Sequence, residues 1–566
     1  MTKQTGYPSI DKPWLKYYSK EAINAPLPTG SMYDFTCKCN TERLDETALN
    51  YFGKKITHRQ LRENVDVCAK ALVANGVKSG DFVDLCLLAI PEAVYLLYAV
   101  NRIGAICNFL VLGAAEKDLH HQISLCGSRL LITMDMVEEK IANAIKGTDI
   151  EKVVTVSVSQ SMPAPLSALM KLKSKKKRCL NTISWKTFLN SGVKGKMPEH
   201  AAGEQDSAVV VYTGGTTGEP KGVLLSNQAA NALSFHYISA NPILHFQAGE
   251  TFLDIIPPFL AYGLFLGIHM PLCAGTELIL SPNPAPQNFP KLFYKYKPNH
   301  FTGGPLHIDH LLQLLAVKPL DLSFLTTAAF GGDVGSSEWV TRASDFLKRS
   351  HARYGLVNGY GMTEVAGAFC TTSHEINHML PFVKNNVKII DVDTGEELMY
   401  GQEGEICISG PTMMKEYYKN EEETSAAIWE ENGARWLHTG DLGYVTEEGY
   451  FVISGRLKRI FYSVGADNVV YRVYPMKIES AICKCAYVEK CSVVGKPNGE
   501  KGYLPIAFVV LQENVDRDMV IAELKSVCER ELPETSWPYA YRIVDELPTT
   551  SAGKVDFRAL EREVQL

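Results

Sequence analysis

Residues 212–222 read Tyr-Thr-Gly-Gly-Thr-Thr-Gly-Glu-Pro-Lys-Gly. Gly214, Gly215 and Gly218 permit positive φ, so backbone N–H groups can converge on one centre. Thr213, Thr216 and Thr217 add hydroxyls, and Lys221 adds a cation. Such a nest suits a polyphosphate. It is not the common phosphate loop, in which Gly directly precedes Lys and a helix follows. Here Pro220 precedes Lys221, and residues 222–225 read as a second strand before Ser226 caps a helix. A glycine-rich hairpin that binds nothing is the alternative reading.

Three later segments could complete a nucleotide site. Asn358-Gly359-Tyr360-Gly361-Met362-Thr363-Glu364 offers an amide for a purine edge and an aromatic ring for stacking. The same run supplies a hydroxyl and a carboxylate, the hard-oxygen ligand that magnesium prefers. Trp436-Leu437-His438-Thr439-Gly440-Asp441 sets a carboxylate in a glycine turn, where vicinal ribose hydroxyls could donate to it. Leu547-Pro548-Thr549-Thr550-Ser551-Ala552-Gly553-Lys554 presents one Lys on a small-residue loop. Taken singly, each segment could equally be a turn, a cap or a solvated surface charge.

An alternation of strands and helices must position these segments. Runs at 82–90, 130–133, 153–156 and 208–211 read as strands, and 61–74 has helical periodicity. The pattern predicts an α/β fold of layered sheets with covering helices. A break falls at 455–458, after a glycine-marked hairpin over 442–453. Beyond it the pattern becomes α+β. Pro475 opens a helix to Cys485, strands are expected at 492–494, 506–511 and 542–544, and 519–531 is helical. The expected division is an N-terminal domain over 1–457 and a small C-terminal domain over 458–566.

Composition fits a large enzyme: 566 residues with 46% hydrophobic content can bury more than one core. A formal charge of −6 exerts no general pull on nucleic acid, so no such partner is expected. The 14 Cys include no Cys-x-x-Cys pair, which argues against metal ribbons and thioredoxin chemistry. Cys483, Cys485 and Cys491 read as buried thiols. His307 and His310 lack further zinc ligands nearby and read as surface or cap residues. No positively charged start leads into an apolar run, so no secretory leader is expected and cytoplasm is the expected location. Residues 255–276 carry no charge and are long enough to cross a bilayer. Pro257, Pro258, Gly263, Gly267, His269 and Pro271 interrupt them, so buried core is the expectation.

Together, in this order, the four segments resemble the adenylate-forming superfamily of acyl-CoA synthetases, carrier-loading adenylation domains and firefly-type luciferases. Gly455-Arg456-Leu457-Lys458 adds a fifth matching element, and Ile56-Thr57-His58-Arg59-Gln60-Leu61, Arg102-Ile103-Gly104-Ala105 and Phe330-Gly331-Gly332-Asp333 extend the likeness over nearly the whole chain. The resemblance implies a large multi-subdomain N-terminal α/β domain and a small mobile C-terminal lid. It implies ATP, Mg2+ and CoA as cofactors. By resemblance, 213–221 grips the β,γ-phosphates, Asp333, Asn358, Gly359 and Tyr360 surround adenine, and Thr363 meets the α-phosphate. Glu364, with Thr213, holds magnesium, while Asp441 and Arg456 hold the ribose. Lys554 reaches from the lid to the acyl carboxylate and α-phosphate, and Lys458 is the hinge.

Three departures stand out. Gly214 replaces the usual Ser, Leu260 replaces a His often seen in the acyl-pocket segment, and the stretch from Gly465 to Pro475 is longer than usual. Leu260, Tyr262, Gly304, Gly331 and Gly359 are the expected acyl-pocket residues, their small members leaving room for an alkyl chain. With Lys12-Pro13-Trp14-Leu15-Lys16, which resembles the opening of many fatty acyl-CoA synthetases, they point to a medium- or long-chain fatty acid joined to CoA. A stand-alone enzyme loading a carrier-protein phosphopantetheine and an aryl-acid CoA ligase are the alternatives, with a non-catalytic nucleotide or lipid binder as the outsider. Residues 162–178 set an apolar patch beside six cations, which suits peripheral contact with an anionic membrane.

Overall fold

The computed structural model describes residues 4–173, 180–193, 195–197, 202–213, 220–332, 337–373, 378–465, 469–499, 502–512, 515–549 and 554–565. Gly214, Gly215, Thr216, Thr217, Gly218 and Asp333 lie outside the described residues, as do most of the basic run at 171–178 and residues 550–553 of the lysine loop.

Two large sheets, mostly parallel, form the N-terminal body. One runs in the order Glu416–Tyr417, Gly222–Ser226, Ser207–Tyr212, Ile106–Phe109, Phe82–Cys86, Leu130–Met134, Lys152–Val156, Ile183–Ser184. Its central strands are almost entirely buried and mostly apolar, as parallel strands covered on both faces tend to be, with Asp84 and Asn108 as buried polar exceptions. The other places Thr251–Asp254, His300–Gly303, Thr327–Phe330 and Leu356–Val357 in parallel succession. Between the sheets lies a core containing Trp14, Tyr98, Phe109, Phe252 and Phe265. A third sheet, antiparallel, contains Asn386–Ile390, Gly404–Ser409, Ala434–Val445 and Phe451–Arg456.

Local sequence signals explain the boundaries. Thr57 and Gln60 form a reciprocal capping box that starts the helix His58–Ala74. Ser226 accepts the Ala229 N–H and starts Asn227–Phe235. The strand expected over 82–90 stops at Cys86, because Pro91 opens a buried helix with Ile90 as its cap. The uncharged stretch at 255–276 is buried core, passing through a π-helix, Tyr262–His269, into Met270–Cys273. Among the described residues, no helix is long and apolar enough to cross a membrane.

Beyond residue 460 a separate core forms around Val473, Ile478, Val493, Val509 and Leu524. Helix Pro475–Cys483 packs on an antiparallel pair, Val488–Pro497 and Tyr503–Leu511, and Ala540–Ile543 joins that pair in parallel. Ion pairs link this body to the rest: Lys477–Glu403 at 2.8 Å, Lys490–Asp309 at 3.4 Å and Arg472–Asp393. Their side chains are part-exposed, so each contributes about 0–1 kcal/mol.

Candidate active site

The phosphate-loop segment is anchored from below. Tyr212 is buried at the end of its strand, and its phenol donates to Asn108 Oδ1 at 2.8 Å and to the Gln122 carbonyl at 2.9 Å. Thr213 N–H donates to the Lys221 carbonyl at 3.0 Å. Lys221 pairs with Glu423 and lies over the Tyr417 ring, 4.6 Å from its centroid. Tyr417 arrives there as part of a two-residue edge strand paired with Val223 and Leu224.

Glu364 sits beside this cation in a short 3-10 turn, Thr363–Val365. Its carboxylate is buried and accepts the Tyr417 phenol at 2.7 Å, while its backbone carbonyl accepts Met414 N–H. Burial raises the Glu364 acid above the usual range, opposed by the Tyr417 hydrogen bond and by the cations Lys221 and Arg456. Thr363 is half-buried next to it.

Asp441 and Arg456 are register partners on neighbouring strands. Arg456 Nε donates to Asp441 Oδ1 at 2.6 Å, and the buried Tyr360 phenol donates to Oδ2 at 2.7 Å. A carboxylate has about four acceptor positions, so two remain for sugar hydroxyls. Thr439 Oγ1 fixes the turn by donating to the Ile406 carbonyl at 2.7 Å. Tyr360 was expected at adenine; its phenol is committed to Asp441, so only the ring face is left for a base.

The chain then passes Leu457–Arg459, a 3-10 turn in which Lys458 is exposed. Arg459 belongs to the C-terminal body. It donates to Glu479 Oε2 at 3.2 Å and to the Val493 carbonyl at 3.2 Å, and it stacks 3.7 Å over Phe557. Lys554 is exposed on a loop closed by the Thr549–Val555 bridge.

The glycines expected to open the acyl pocket differ in kind. A Cβ on Gly331 would lie 3.2 Å from Tyr262 Cζ, so the Tyr262 ring already fills that space. A Cβ on Gly359 would lie 2.7 Å from the Cys370 carbonyl oxygen, so glycine there serves a close backbone approach. Gly304 caps the helix Pro305–Val317 and donates its N–H to His307 Nδ1 at 3.1 Å. His307 is therefore a buried capping residue, as one of its expected readings had it. Leu260 is half-buried, and the buried Tyr262 phenol has no hydrogen-bond partner among the described residues.

The structure thus brings together Tyr360, Asp441 and Arg456 on one side and Lys221 and Glu364 on the other. Sequence reasoning missed Tyr417 and Glu423, which complete the second group. The only local hint was the acidic run Glu421–Glu423, behind two tyrosines.

Glu364 and Thr213 offer hard oxygens, that of Glu364 a buried carboxylate, the donor chemistry that suits a magnesium ion. When bound, that ion would neutralise triphosphate charge.

Residues 36–418 match the family described as AMP-binding enzyme, and 477–554 match the AMP-binding enzyme C-terminal domain. The long-chain-fatty-acid–CoA ligase of Bacillus subtilis is 30% identical over 98% of both chains. A probable 4-coumarate–CoA ligase 1 of Dictyostelium discoideum is 29% identical over 92% of this chain and 91% of its own. Among solved structures, the anthranilate CoA ligase AuaEII in complex with anthranoyl-AMP superposes with a TM-score of 0.79 at 21% identity, over 96% of this chain and 99% of that one. The strand-built carboxylate clasp, the threonine- and lysine-bearing loop and these matches lead to one conclusion: the chain belongs to the AMP-binding enzyme family.

Proposed function

We propose that the acid activated by this AMP-forming acid–thiol ligase is a fatty acid of medium or long chain, and that the accepting thiol is that of CoA. The carboxylate attacks the α-phosphorus of ATP, the bond from that phosphorus to the α,β-bridging oxygen breaks, and pyrophosphate leaves with that oxygen. The CoA thiol then attacks the acyl carbon, loses its proton, and AMP leaves. The observation that carries the nucleotide part is the clasp on Asp441, whose two oxygens are held by Tyr360 and Arg456 while two acceptor positions stay open. Full-length similarity to a long-chain-fatty-acid–CoA ligase supports the choice of acid.

On this reading the chain divides at 457/458, and Lys458 absorbs the rotation of the C-terminal body. Arg456 on one side is bound to Asp441, and Arg459 on the other is bound to Glu479. Lys221 holds departing phosphates, Glu364 and Thr213 hold magnesium, Thr363 contacts the α-phosphate, and Lys554 stabilises charge as the adenylate forms. Membrane contact through 162–178 belongs to the same reading, supported by the exposed Leu169 and Met170 on helix Ala164–Lys173.

One observation favours a second reading, an aryl acid. Tyr262 over Gly331 shortens the space a straight alkyl chain would enter and offers a ring face instead. Pyrophosphate release across saturated, benzoate-like and cinnamate-like acids, with and without CoA, separates the two. A fatty-acid enzyme gains with each methylene, about 0.8 kcal/mol per buried CH2, until the pocket fills. A flat length profile with preference for aromatic acids would sink the first reading. Turnover with a holo carrier protein but not CoA would replace the acceptor.

A further inference from the structure

The sheet that carries Asp441 presents a second set of donors on its opposite face. Glu405 and Cys407 alternate onto one side of Gly404–Ser409, and Cys407 stands opposite His438 in the register with Ala434–Val445. His438 Nδ1 lies 2.9 Å from Glu405 Oε2 and 3.8 Å from Cys407 Sγ, and one ligand atom from each of the three lies within 4.8 Å of the others. Trp429 seats the imidazole, its ring centroid 4.3 Å away. A cavity of about 300 Å³, bordered by Glu397, Trp429, Glu431 and His438, reaches the group at His438. Lys388 stands beside Cys407 in register but is drawn to Glu431 at 2.6 Å and Glu397 at 3.7 Å. Three carboxylates against one ammonium leave the neighbourhood attractive to a dication.

We propose that Glu405, Cys407 and His438 bind a zinc-type transition-metal dication, with water from the cavity as fourth ligand, and that its occupation weakens nucleotide binding. A mixed sulfur, nitrogen and oxygen set selects a borderline-soft ion over magnesium. On binding, the Cys407 S–H bond breaks, its proton passes to solvent, and the thiolate donates an electron pair to the metal. His438 ligates through Nδ1 with its proton on Nε2. Metal bonds of about 2.0–2.3 Å place neighbouring tetrahedral donors roughly 3.3–3.8 Å apart. The His438–Cys407 spacing already matches, and Glu405 must move outward by a few tenths of an ångström.

That movement has a path to the nucleotide. The other Glu405 oxygen accepts the Gly440 N–H at 3.0 Å, one residue before Asp441. Displacing Glu405 loosens the turn that aims the ribose carboxylate. The metal site stands on geometry alone, whereas its coupling to ATP rests on the reading of Asp441 given above.

Cobalt(II) titrated into the full-length protein tests the site. A thiolate-to-cobalt charge-transfer band, saturating near one equivalent, is expected in the wild type and is expected to vanish in Cys407→Ser and in His438→Gln. Cys407→Ala serves as a second variant should the serine disturb folding, and both cysteine variants should keep full activity without added metal. Zinc(II) in the presence of excess magnesium should raise the KM for ATP several-fold in the wild type and leave Cys407→Ser unaffected. Absence of the band in the wild type, or a band of equal strength in Cys407→Ser, overturns the site. Equal inhibition of both proteins by zinc overturns its coupling to nucleotide.

Discussion

Arg456 and Arg459 stand three residues apart and are committed to different bodies. Arg456 closes on Asp441 within the antiparallel sheet of the N-terminal body, and Arg459 closes on Glu479 in the helix Pro475–Cys483 of the C-terminal body. Each is a short, charge-assisted contact with a partner that is largely buried. By contrast, the ion pairs that bridge the two bodies directly are part-exposed and individually weak. Strong anchoring on both sides of a two-residue gap, with weak contacts across the divide, concentrates any relative motion at Leu457 and Lys458. Backbone rotation needs no packed side chain to yield there, since Lys458 is exposed.

The largest expected effect comes from the C-terminal side. If Lys554 works only as adenylate forms, Lys554→Ala should lower adenylation by roughly 10²–10³, the scale of one preorganised electrostatic contact. Thioester formation from supplied acyl-adenylate should be spared. Equal loss in both half-reactions would mean that the C-terminal body serves both steps in one position.

Exchanging the two arginines in turn sharpens the contrast. Arg456→Ala should weaken ATP binding by about 1.5–3 kcal/mol, the range for hydrogen bonds to charged groups, with little change in the melting of the C-terminal body. Arg459→Ala should do the reverse: it strands the half-buried Glu479 and destabilises the C-terminal core by a similar amount, while calorimetric ATP affinity stays near wild type. Matching effects from the two variants would show that they share one cooperative unit.

A smaller effect is expected at the gap itself. Lys458→Pro fixes φ and should slow thioester formation several-fold while pyrophosphate release persists. Unchanged rates in both half-reactions would move the pivot elsewhere.

The smallest effect concerns protons. Burial holds the Glu364 acid above the usual range, and the Tyr417 phenol pulls it back down by bonding to the ionised form. Tyr417→Phe removes that aid, so the acid rises further and the fraction ionised at a given low pH falls. The acid limb of the ATP-dependent rate should therefore move to higher pH, with wild-type and variant rates converging in alkaline buffer. A shift toward lower pH, or none, would detach Glu364 from the magnesium-dependent step.

The sequence carried the elements whose signals are local. The Ser226 cap, the Pro475 helix start and the hairpin before Ile453 all appear where turn and cap chemistry put them. The C-terminal strands run longer than their apolar centres implied, Val488–Pro497 against 492–494, because mutual hydrogen bonding extends past the buried residues. What could not be read was pairing at a distance. Tyr417 reaches Glu364 only because a two-residue strand adds to the edge at Val223 and Leu224, and nothing near Tyr417 announces that register. Tyr262 is similar: the acyl-pocket glycines looked like open space until the fold laid a ring over Gly331. Cys407 and His438 stand together only through strand register.

The pairing of Lys221 with Glu423 has a consequence for turnover. A carboxylate carried on the same chain is a tethered competitor for the ammonium, present at an effective concentration that dissolved anions rarely match. On the proposed role of Lys221 as the grip on the phosphates, an incoming triphosphate must displace it, which lowers apparent affinity at the start of the cycle. At the end, with the α–β bond cut, the leaving pyrophosphate faces the same rival, and the return of Glu423 hastens its departure. On this account the pair acts as a ratchet on product release, and trades some grip on ATP for resistance to inhibition by pyrophosphate.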